Sequence, residues 1–467
     1  MHLLIRPGGL RSAARLSGHY CQRISQPQNN MIEAATPSTS QVRDSMLSDL
    51  LWVLMLAYFR PLFEMALLIL GEWWFQVRFK EDRSKFSRYI IQITSVGREV
   101  ERVNEIINEI RSYPMSMAYQ IWVVIEPGYS LAYPNADRVI VVPREFVAKS
   151  RYKCRAIEYT RSLRRELGWT GYDTKITFLD DDTSPTWEFL ETAYAGDYDI
   201  CQGLTAPRFK YGSGSLTHFL LSHIDDLRFH NCMTYCSSFQ GVFNAPLFVH
   251  GEGLTITGST ENQVGWNFRI FASEDLTFGC NAAHQGLRWG WFHQYIELTS
   301  PWTWGAYFKQ RRRWMWGNIH AIVNRDVLPL GPAIRVGIRY LLSLFTFAGS
   351  GVAFALTLLG NIHIEPAWFS LFWCSLAIWV LNFAMSGWVN AGRREPGQTS
   401  ASFWTRRITQ TVCAVLLCPF SASFTVIALI TTLYMGNPRA FEVIGKTQKT
   451  ADLEVYTADS GMEAVRR

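Results

Sequence analysis

The sequence predicts a doubly wound α/β domain that is flanked by membrane-spanning helices. Apolar residues cluster towards the two ends of the 467-residue chain, and the stretch between them alternates short β-rich runs with helical stretches. One of those β-rich runs ends on three consecutive aspartates, Asp180 to Asp182. We therefore expect one mixed domain over residues 88–320, with membrane segments before and after it.

The first part of the chain predicts a tail and then a membrane segment. Residues 1–45 lack hydrophobic periodicity and carry several arginines before the first acid, Glu33. A disordered tail is favoured there over an organellar transit peptide. Residues 46–75 are largely apolar and long enough to cross a hydrocarbon core of ~30 Å, although Arg60 and Glu64 interrupt them. The basic residues between positions 78 and 88 then predict that the central domain faces the cytoplasm.

Three further apolar segments follow the central domain. Residues 338–360 and 366–388 each reach spanning length, and the turn between them has no Lys or Arg. Residues 407–435 contain Pro419 and could form either one kinked span or a hairpin. Residues 436–467 would then be a C-terminal tail. The whole pattern is typical of an integral membrane protein.

Charge and cysteine usage exclude some function classes. The formal net charge is only +6, and the basic residues lie beside apolar runs, where they would meet lipid headgroups rather than nucleic acid. Nine cysteines, an odd number, argue against a disulfide framework. His230, Cys232 and Cys236 lie close together, but no second metal-spaced pair follows, so we interpret them as packing groups rather than a zinc site.

The central domain predicts a succession of strands and helices. Apolar β-rich runs indicate strands at 89–96, 121–125, 139–142 and 175–179, and a basic helix is predicted over 146–167. In an open α/β sheet, ligands bind at the carboxyl ends of the strands. The residues that directly follow these strands are therefore the first candidates for chemistry.

Two of the aspartates after the fourth strand are spaced for metal binding. On an extended chain the side chains of Asp180 and Asp182 share a face, where they repel each other unless a cation lies between them. Mg²⁺ or Mn²⁺ held by carboxylates and phosphate oxygens would satisfy that arrangement. A solvated Asp-rich turn or a helix cap remains open, and so does an aspartyl phosphatase-like site.

Two later elements carry charged residues of the same kind. Ser273, Glu274 and Asp275 open a helical stretch, where a carboxylate can simply cap the helix. Gln310 to Trp314 form a basic aromatic cluster, which could be an interfacial helix at the lipid headgroups. Alternatively, this cluster is a clamp for a diphosphate and an acceptor beside the membrane.

Taken in order, Leu-Asp-Asp-Asp, Ser-Glu-Asp and Gln-Arg-Arg-Arg-Trp resemble the DxD, (T/S)ED and QxxRW motifs of membrane-bound family 2 glycosyltransferases. Within that family the chain most resembles egghead-type β-1,4-mannosyltransferases, over residues 89–317. The resemblance implies a GT-A type, Rossmann-like catalytic domain with flanking transmembrane helices. It also implies a nucleotide-sugar donor, GDP-mannose or a UDP-hexose, and a lipid or glycolipid acceptor in the membrane.

The resemblance implies roles for the acidic residues. Asp180 and Asp182 match DxD and would hold the divalent metal, Mg²⁺ or Mn²⁺, and the donor's diphosphate. Asp275 matches the last residue of the SED element and would be the catalytic base.

The resemblance also implies roles for five other residues. Gln310, Arg313 and Trp314 match QxxRW and would lie near the leaving diphosphate and the acceptor. Lys153 is expected to contact the diphosphate. Glu126 follows the second strand, where many family members have an Asp that reads the nucleobase, so it is assigned to donor binding.

These roles predict an inverting transferase that moves one hexose, mannose or glucose, to a membrane lipid and forms a β-glycosidic bond. A processive synthase of a β-linked polysaccharide shares the three motifs and is the enzymatic alternative. A catalytically inactive membrane scaffold or lipid-binding adaptor is the alternative from another class.

Overall fold

The computed structural model describes residues 53, 55–129, 132–207, 215–359, 366–393 and 397–436, without the side chains of 348, 353–359 and 367. These residues belong to one compact unit, Asp49–Arg467. The predicted tails at 1–45 and 436–467 lie outside the described residues, except for Gly436.

Eight strands form one sheet in the order β3-β2-β1-β4-β7-β6-β8-β5. The strands are β1 Arg88–Thr94, β2 Gln120–Ile125, β3 Arg138–Val141, β4 Thr174–Asp180, β5 Thr183–Pro185, β6 Ile200–Pro207, β7 Thr255–Thr257 and β8 Trp289–Leu298. β1 to β4 are parallel, as the sequence predicted, and Thr94 at the end of β1 pairs with Asp180 at the end of β4. The carboxyl ends of β1 and β4 therefore lie side by side at the same edge of the sheet.

The other half of the sheet is mixed. The short strand β7 runs antiparallel to both β4 and β6, while β6 and β8 are parallel to each other. β5 pairs antiparallel with β8 and follows directly after the aspartates. The chain segment that carries Asp182 is thus fixed between β4 and the opposite edge of the sheet.

Helices cover both faces of the sheet. They are α1 Arg60–Arg78, α2 Val100–Arg111, α3 Tyr152–Glu166, α4 Trp187–Ala195, α5 Leu216–Ile224, α6 Asp226–Asn231, α7 Gly258–Val264, α8 Glu274–His284 and α9 Trp304–Val323, with 3₁₀ turns at Leu56–Phe59 and Arg83–Lys85 and a π-helix at Cys232–Val242. The predicted helix 146–167 begins only at Tyr152, since the segment before it is a loop. The Arg155 side chain donates a hydrogen bond to the Phe146 carbonyl oxygen over 3.1 Å and holds that loop.

The core lies on both sides of the sheet because alternate strand residues point to opposite faces. Ile91 and Ile93 of β1 are fully buried in one apolar cluster, which α2 and α4 complete. Ile90 of β1 and Ile176 of β4 are fully buried in a second cluster, which includes residues of α3 and α8. A strand buried on both faces reads as a continuous apolar run, and this is the pattern that predicted β1.

Three helices among the described residues are long and apolar enough to cross a membrane. They are α10 Leu330–Leu359, α11 Pro366–Asn390 and α12 Ser400–Met435, with the candidate spans at Leu330–Val352, Trp368–Asn390 and Ser400–Met435. Pro419 lies inside α12, which is one helix rather than a hairpin.

The predicted first span, 46–75, falls partly outside the described residues and stays a prediction. Its described part is α1, which packs closely against the π-helix. A Cβ atom added to Gly241 would lie 2.8 Å from the Trp74 ring, so the two helices touch at this point. Glu64 of α1 is buried and accepts hydrogen bonds from Arg60 at 2.8 Å and from Tyr235 at 2.9 Å. α1 is thereby tied to the central domain through polar as well as apolar contacts.

Candidate active site

A cavity of about 230 Å³ lies at the carboxyl end of β4, between the sheet and the helices that lead to the membrane segments. Six of the eight residues that the sequence assigned to the site line it: Lys153, Asp180, Asp275, Gln310, Arg313 and Trp314. They come from positions as far apart as 153 and 314 in the chain. The fold therefore brings the three sequence motifs to one place.

The aspartates after β4 alternate in direction. Asp180 lines the cavity, whereas Asp181 points away from it and accepts a hydrogen bond from the Ser95 hydroxyl over 2.8 Å. Asp182 is only 5% exposed and lies close enough to Asp180 to raise the pKa of that carboxyl further, in addition to the larger effect of burial. Asp182 itself does not line the cavity. The shared metal-binding role that their spacing predicted for Asp180 and Asp182 stays a prediction.

Lys153, near the start of α3, is ion-paired with Asp180, and its Nζ lies 3.8 Å from Oε1 of Glu274. Burial alone would lower the pKa of Lys153, but Asp180, Glu274 and Glu252 outweigh it and raise the pKa. The side chain is therefore a fixed positive charge at the floor of the cavity.

Asp275 is the second residue of α8. The helix begins directly after Ser273, whose backbone is left-handed (φ 62°). Burial, and secondly the neighbouring Glu274, raise the pKa of Asp275 to about 7. Its Oδ1 accepts a hydrogen bond from the Leu276 N–H over 2.8 Å, so the carboxylate does not act as a simple helix cap across the first turn. A carboxyl whose pKa lies near neutrality is suited to accept a proton during catalysis.

Gly251 shows how closely these elements approach. A Cβ atom at this position would lie 2.7 Å from Nζ of Lys153 and 3.6 Å from Oδ2 of Asp275. Any larger residue would therefore occupy the space between the lysine and the candidate base. The loop that carries Gly251 forms one wall of the cavity.

The three arginines of α9 have three different environments. Arg313 lines the cavity, where burial lowers its pKa while Glu274, Asp180, Asp182 and Glu252 oppose that shift. Arg311 also lines the cavity but is buried in an ion pair with Asp225, and Arg312 does not line the cavity. Arg313 is thus the one of the three whose charge interacts with the acidic groups of the site.

Trp314 and Gln310 complete this side of the cavity. The Trp314 ring is contacted by the guanidinium groups of Arg311 at 4.6 Å and Arg228 at 5.0 Å. Gln310 is 5% exposed, and its Oε1 has no hydrogen-bond partner among the described residues. An unsatisfied buried acceptor of this kind is available for a ligand hydroxyl.

Glu126 is, with Asp182, one of the two predicted site residues that do not line the cavity. It follows β2, two strands away from β4, and forms an ion pair with Arg155 at 3.3 Å. Burial raises the pKa of Glu126, and Arg155 opposes that shift. It lies at the same edge of the sheet as the aspartates, so its assigned role in donor binding stays a prediction.

Two cavity residues were missed by sequence reasoning. Glu252 lines the cavity and pairs with Arg228 of α6 at 3.0 Å. Burial would raise the pKa of Glu252, but Arg228 leads the effects that lower it to about 2. Neither residue belongs to a recognised motif. The available signal was the Gly-Glu-Gly sequence at 251–253, since a carboxylate between two glycines is typical of a loop that approaches a ligand closely.

Comparison with known proteins identifies relatives of this chain. Residues 175–382 match the family described as Glycosyl transferase family group 2. The chain is similar to "Beta-1,4-mannosyltransferase egh" of Drosophila melanogaster, with 25% identity over 229 residues, which is 47% of this chain and 49% of that protein. It is also 25% identical to "Beta-1,4-mannosyltransferase bre-3" of Caenorhabditis elegans, over 44% of this chain and 48% of that protein. The chain thus spans about half the length of the curated relatives it matches.

Among solved structures, the chain is similar to "Mannosyltransferase PcManGT from Pyrobaculum calidifontis in complex with GDP-Man and Mn2+". The TM-score is 0.46 at 14% identity, covering 83% of this chain and all of that one.

The part of the chain that matches the glycosyltransferase family thus includes strands of the mixed sheet, and three helices of membrane-spanning length lie within its last part and beyond its end. Its sequence relatives are the egghead and bre-3 β-1,4-mannosyltransferases, so the predicted family resemblance is confirmed.

Proposed function

We propose that this protein is an inverting glycosyltransferase that moves a hexose, mannose first, from a nucleotide sugar to the hydroxyl group of a membrane lipid. The product would be a β-glycoside. The observation that carries the proposal is the meeting of Asp180, Asp275 and Arg313 in one cavity. Each supplies a group that glycosyl transfer needs: a metal ligand, a base and a cation for the leaving diphosphate.

The acidic groups beside the cavity support a divalent metal, Mg²⁺ or Mn²⁺. Asp180 lines the cavity, where burial raises the pKa of its carboxyl and the nearby Asp182 raises it further. Two neighbouring carboxylates repel each other unless a cation lies between them, and hard carboxylate ligands suit both ions. When bound, the metal would neutralise negative charge on the diphosphate.

The protein's own groups would act around that charge. Lys153 and Arg313 would hold phosphate oxygens of the departing nucleoside diphosphate. Asp275 would accept the proton of the acceptor hydroxyl as that oxygen attacks the anomeric carbon from the face opposite the diphosphate. A single displacement of this kind inverts the anomeric centre, so an α-linked donor gives a β-linked product.

The cavity also supports a lipid acceptor. Its lining continues from Asp275 past Tyr340 of α10 to Ser421 and Thr425 of α12. Those two helices are of membrane-spanning length. A hydroxyl presented at the bilayer surface could therefore reach the base without leaving the membrane. The basic residues between 78 and 88 support a cytoplasmic position for the domain.

The test is transfer by the full chain in phospholipid vesicles that contain a neutral glycolipid. Radiolabelled GDP-mannose and UDP-glucose are compared with and without Mn²⁺, and lipid products are separated by chain length. We expect metal-dependent addition of one β-linked sugar to the lipid. A ladder of long products would overturn the single-transfer proposal in favour of a polysaccharide synthase. Failure to bind any nucleotide sugar with Mn²⁺ present would favour a scaffold.

A further inference from the structure

The buried Cys232 and Cys236 and the partly buried His250, which lines the cavity, form a cluster beside the candidate active site. Sγ of Cys232 lies 3.0 Å and Sγ of Cys236 lies 3.7 Å from Nε2 of His250. The two cysteines are four residues apart on the π-helix and therefore share a face of it. His250 comes from the loop that leads to Gly251, so the cluster links two separate elements.

The distances within this cluster are those of a metal site. A tetrahedral zinc ion with Zn–S of about 2.3 Å and Zn–N of about 2.0–2.1 Å places sulfur and nitrogen roughly 3.5 Å apart. The two observed distances, 3.0 and 3.7 Å, lie on either side of that value. All three ligand atoms lie within 4.8 Å of one another. One ion could contact them all after shifts of a few tenths of an ångström.

The charge of the site also favours a dication. Both cysteine side chains are essentially inaccessible to solvent, where an isolated thiolate is costly. Two thiolates, one neutral imidazole and one divalent ion give a complex with no net charge. Binding would release the two thiol protons to solvent, which accounts for all the charges. Soft sulfur ligands favour zinc over the Mg²⁺ or Mn²⁺ that carboxylates prefer.

The surrounding polar groups are arranged as a second layer of contacts. The Thr205 hydroxyl lies 2.9 Å from Sγ of Cys232. Gln202 fixes the backbone of His250 on both sides, donating to its carbonyl oxygen over 2.5 Å and accepting from its N–H over 3.3 Å. Outer contacts of this kind orient metal ligands.

Gln240 lies one turn after Cys236 on the same face of the π-helix. Its Nε2 donates to Gln202 and to the Phe248 carbonyl oxygen, while its Oε1 is buried and has no hydrogen-bond partner among the described residues. An unsatisfied amide oxygen beside a three-ligand cluster is a candidate acceptor for a metal-bound water.

We propose that Cys232, Cys236 and His250 bind one zinc-class divalent ion, with water as the fourth ligand, and that this ion fixes the loop of Gly251 and Glu252. The site differs from the carboxylate pair in both ligands and preferred metal. His230, which is adjacent in sequence, is not part of it, because its ring nitrogens lie 2.9 Å from Ser386 and 3.4 Å from Glu64. The earlier interpretation of all three as packing groups therefore holds for His230 and is revised for the two cysteines.

The test uses the full chain purified in detergent without chelators. Metal content is measured by mass spectrometry, and Co²⁺ is then exchanged into the protein to record its absorption spectrum. We expect about one equivalent of zinc per chain and, with Co²⁺, a thiolate-to-metal charge-transfer band. A carboxylate site cannot give that band, so the readout is independent of the proposed Mn²⁺ site and of any transferase activity.

Variants assign the ion to these residues. Cys232→Ser and Cys236→Ser should each lose the zinc and the charge-transfer band, whereas Cys280→Ser, another buried cysteine on α8, should keep both. Asp182→Asn should also keep both. Absence of bound metal and of the band in the wild type would overturn the proposal, and so would a Cys232–Cys236 disulfide found by mass spectrometry under non-reducing conditions. Equal loss of metal in Cys280→Ser would overturn the assignment.

Discussion

The two walls of the cavity are built in different ways. The strand wall consists of Asp180 and its ion-pair partner Lys153, which line the cavity, together with Asp182, which lies near Asp180 without lining the cavity. It is fixed by the hydrogen bonds of the parallel sheet, because Asp180 ends β4 in register with Thr94 of β1. The helix wall, formed by Gln310, Arg313 and Trp314, is carried by α9. The position of the strand wall is thus determined by the central domain alone, whereas the position of the helix wall depends on the helices against which α9 packs.

α9 packs against α12, one of the helices long enough to cross a membrane. The Tyr307 hydroxyl lies 2.9 Å from Ser421 of α12, and the Trp304 ring stacks on Phe424 at a centroid distance of 5.7 Å. A shift of α12 would therefore move the helix wall relative to the strand wall. The position of the helix wall thus depends on a candidate membrane span, whereas that of the strand wall does not.

The largest effect on turnover is expected at Asp275, the proposed catalytic base. Asp275→Asn removes the proposed base without changing the size of the side chain, so turnover should fall by about 10²- to 10⁴-fold. Donor affinity should stay near the wild-type value, since Asp275 is not assigned to the metal or diphosphate. Transfer assays and calorimetry would measure the two quantities separately. Activity within about tenfold of wild type would remove Asp275 from this role.

Asp182→Asn tests the strand wall alone. We expect Mn²⁺-dependent donor binding to weaken by at least the roughly 10- to 100-fold that changes around metal ligands cost. Asp181→Asn is the matched control, because this neighbouring carboxylate points to Ser95 and makes the same change of charge. Calorimetric titration of the donor would compare the variants. Similar losses of donor affinity in both variants would mean that removing one negative charge, rather than removing a metal ligand, weakens binding.

Arg311→Gln tests the support of the helix wall. Arg311 and Asp225 are a buried ion pair, and removing one partner of such a pair costs up to about 3–5 kcal/mol. Arg228, 3.9 Å from Asp225, would offset part of that cost. The variant should unfold at a clearly lower temperature in detergent. Arg312→Gln, the adjacent residue, should have a small effect. Equal melting temperatures for the two variants would show that α9 does not depend on this pair.

The pH dependence gives the smallest expected effect. Only ionised Asp275 can accept a proton, and its pKa is raised to about 7 by burial and then by Glu274. kcat/KM should therefore rise with pH and level off above about 7, falling about tenfold per unit below it. Glu274→Gln removes the like charge and should move this limb to lower pH. An unmoved limb in that variant would assign the titration to another group.

The strand wall could be predicted from sequence more fully than the helix wall. A buried-type run that ends in aspartates fixes both the strand and the direction of Asp180 and Asp182. The resemblance picked out Arg313 from the run of three arginines, but it did not show that Arg311 also lines the cavity, where its charge is paired with Asp225. Packing against a distant helix leaves no local pattern in the sequence.

Other features were also not predicted from the sequence, because they depend on contacts that form only in the folded chain. Glu252 pairs with Arg228 across 24 positions of the chain, and Cys232 meets His250 across 18. Neither spacing matches a short motif, so both clusters appear only once the chain is folded. The start of α3 at Tyr152, rather than at residue 146, likewise depends on the side chain of Arg155, which holds the preceding loop.

The central claim is that both walls bind one nucleoside diphosphate. Its most direct test is to measure how tightly the Arg313→Gln and Arg312→Gln variants bind that nucleotide in the presence of Mn²⁺. The nucleotide is the one that stabilises the wild type most in a thermal-shift panel. Arg313→Gln leaves both proposed metal ligands intact. It should nevertheless weaken binding by about 1.5–3 kcal/mol, which is the contribution of a hydrogen bond to a charged group. Arg312→Gln should bind as the wild type does. Undiminished affinity in Arg313→Gln would contradict the account.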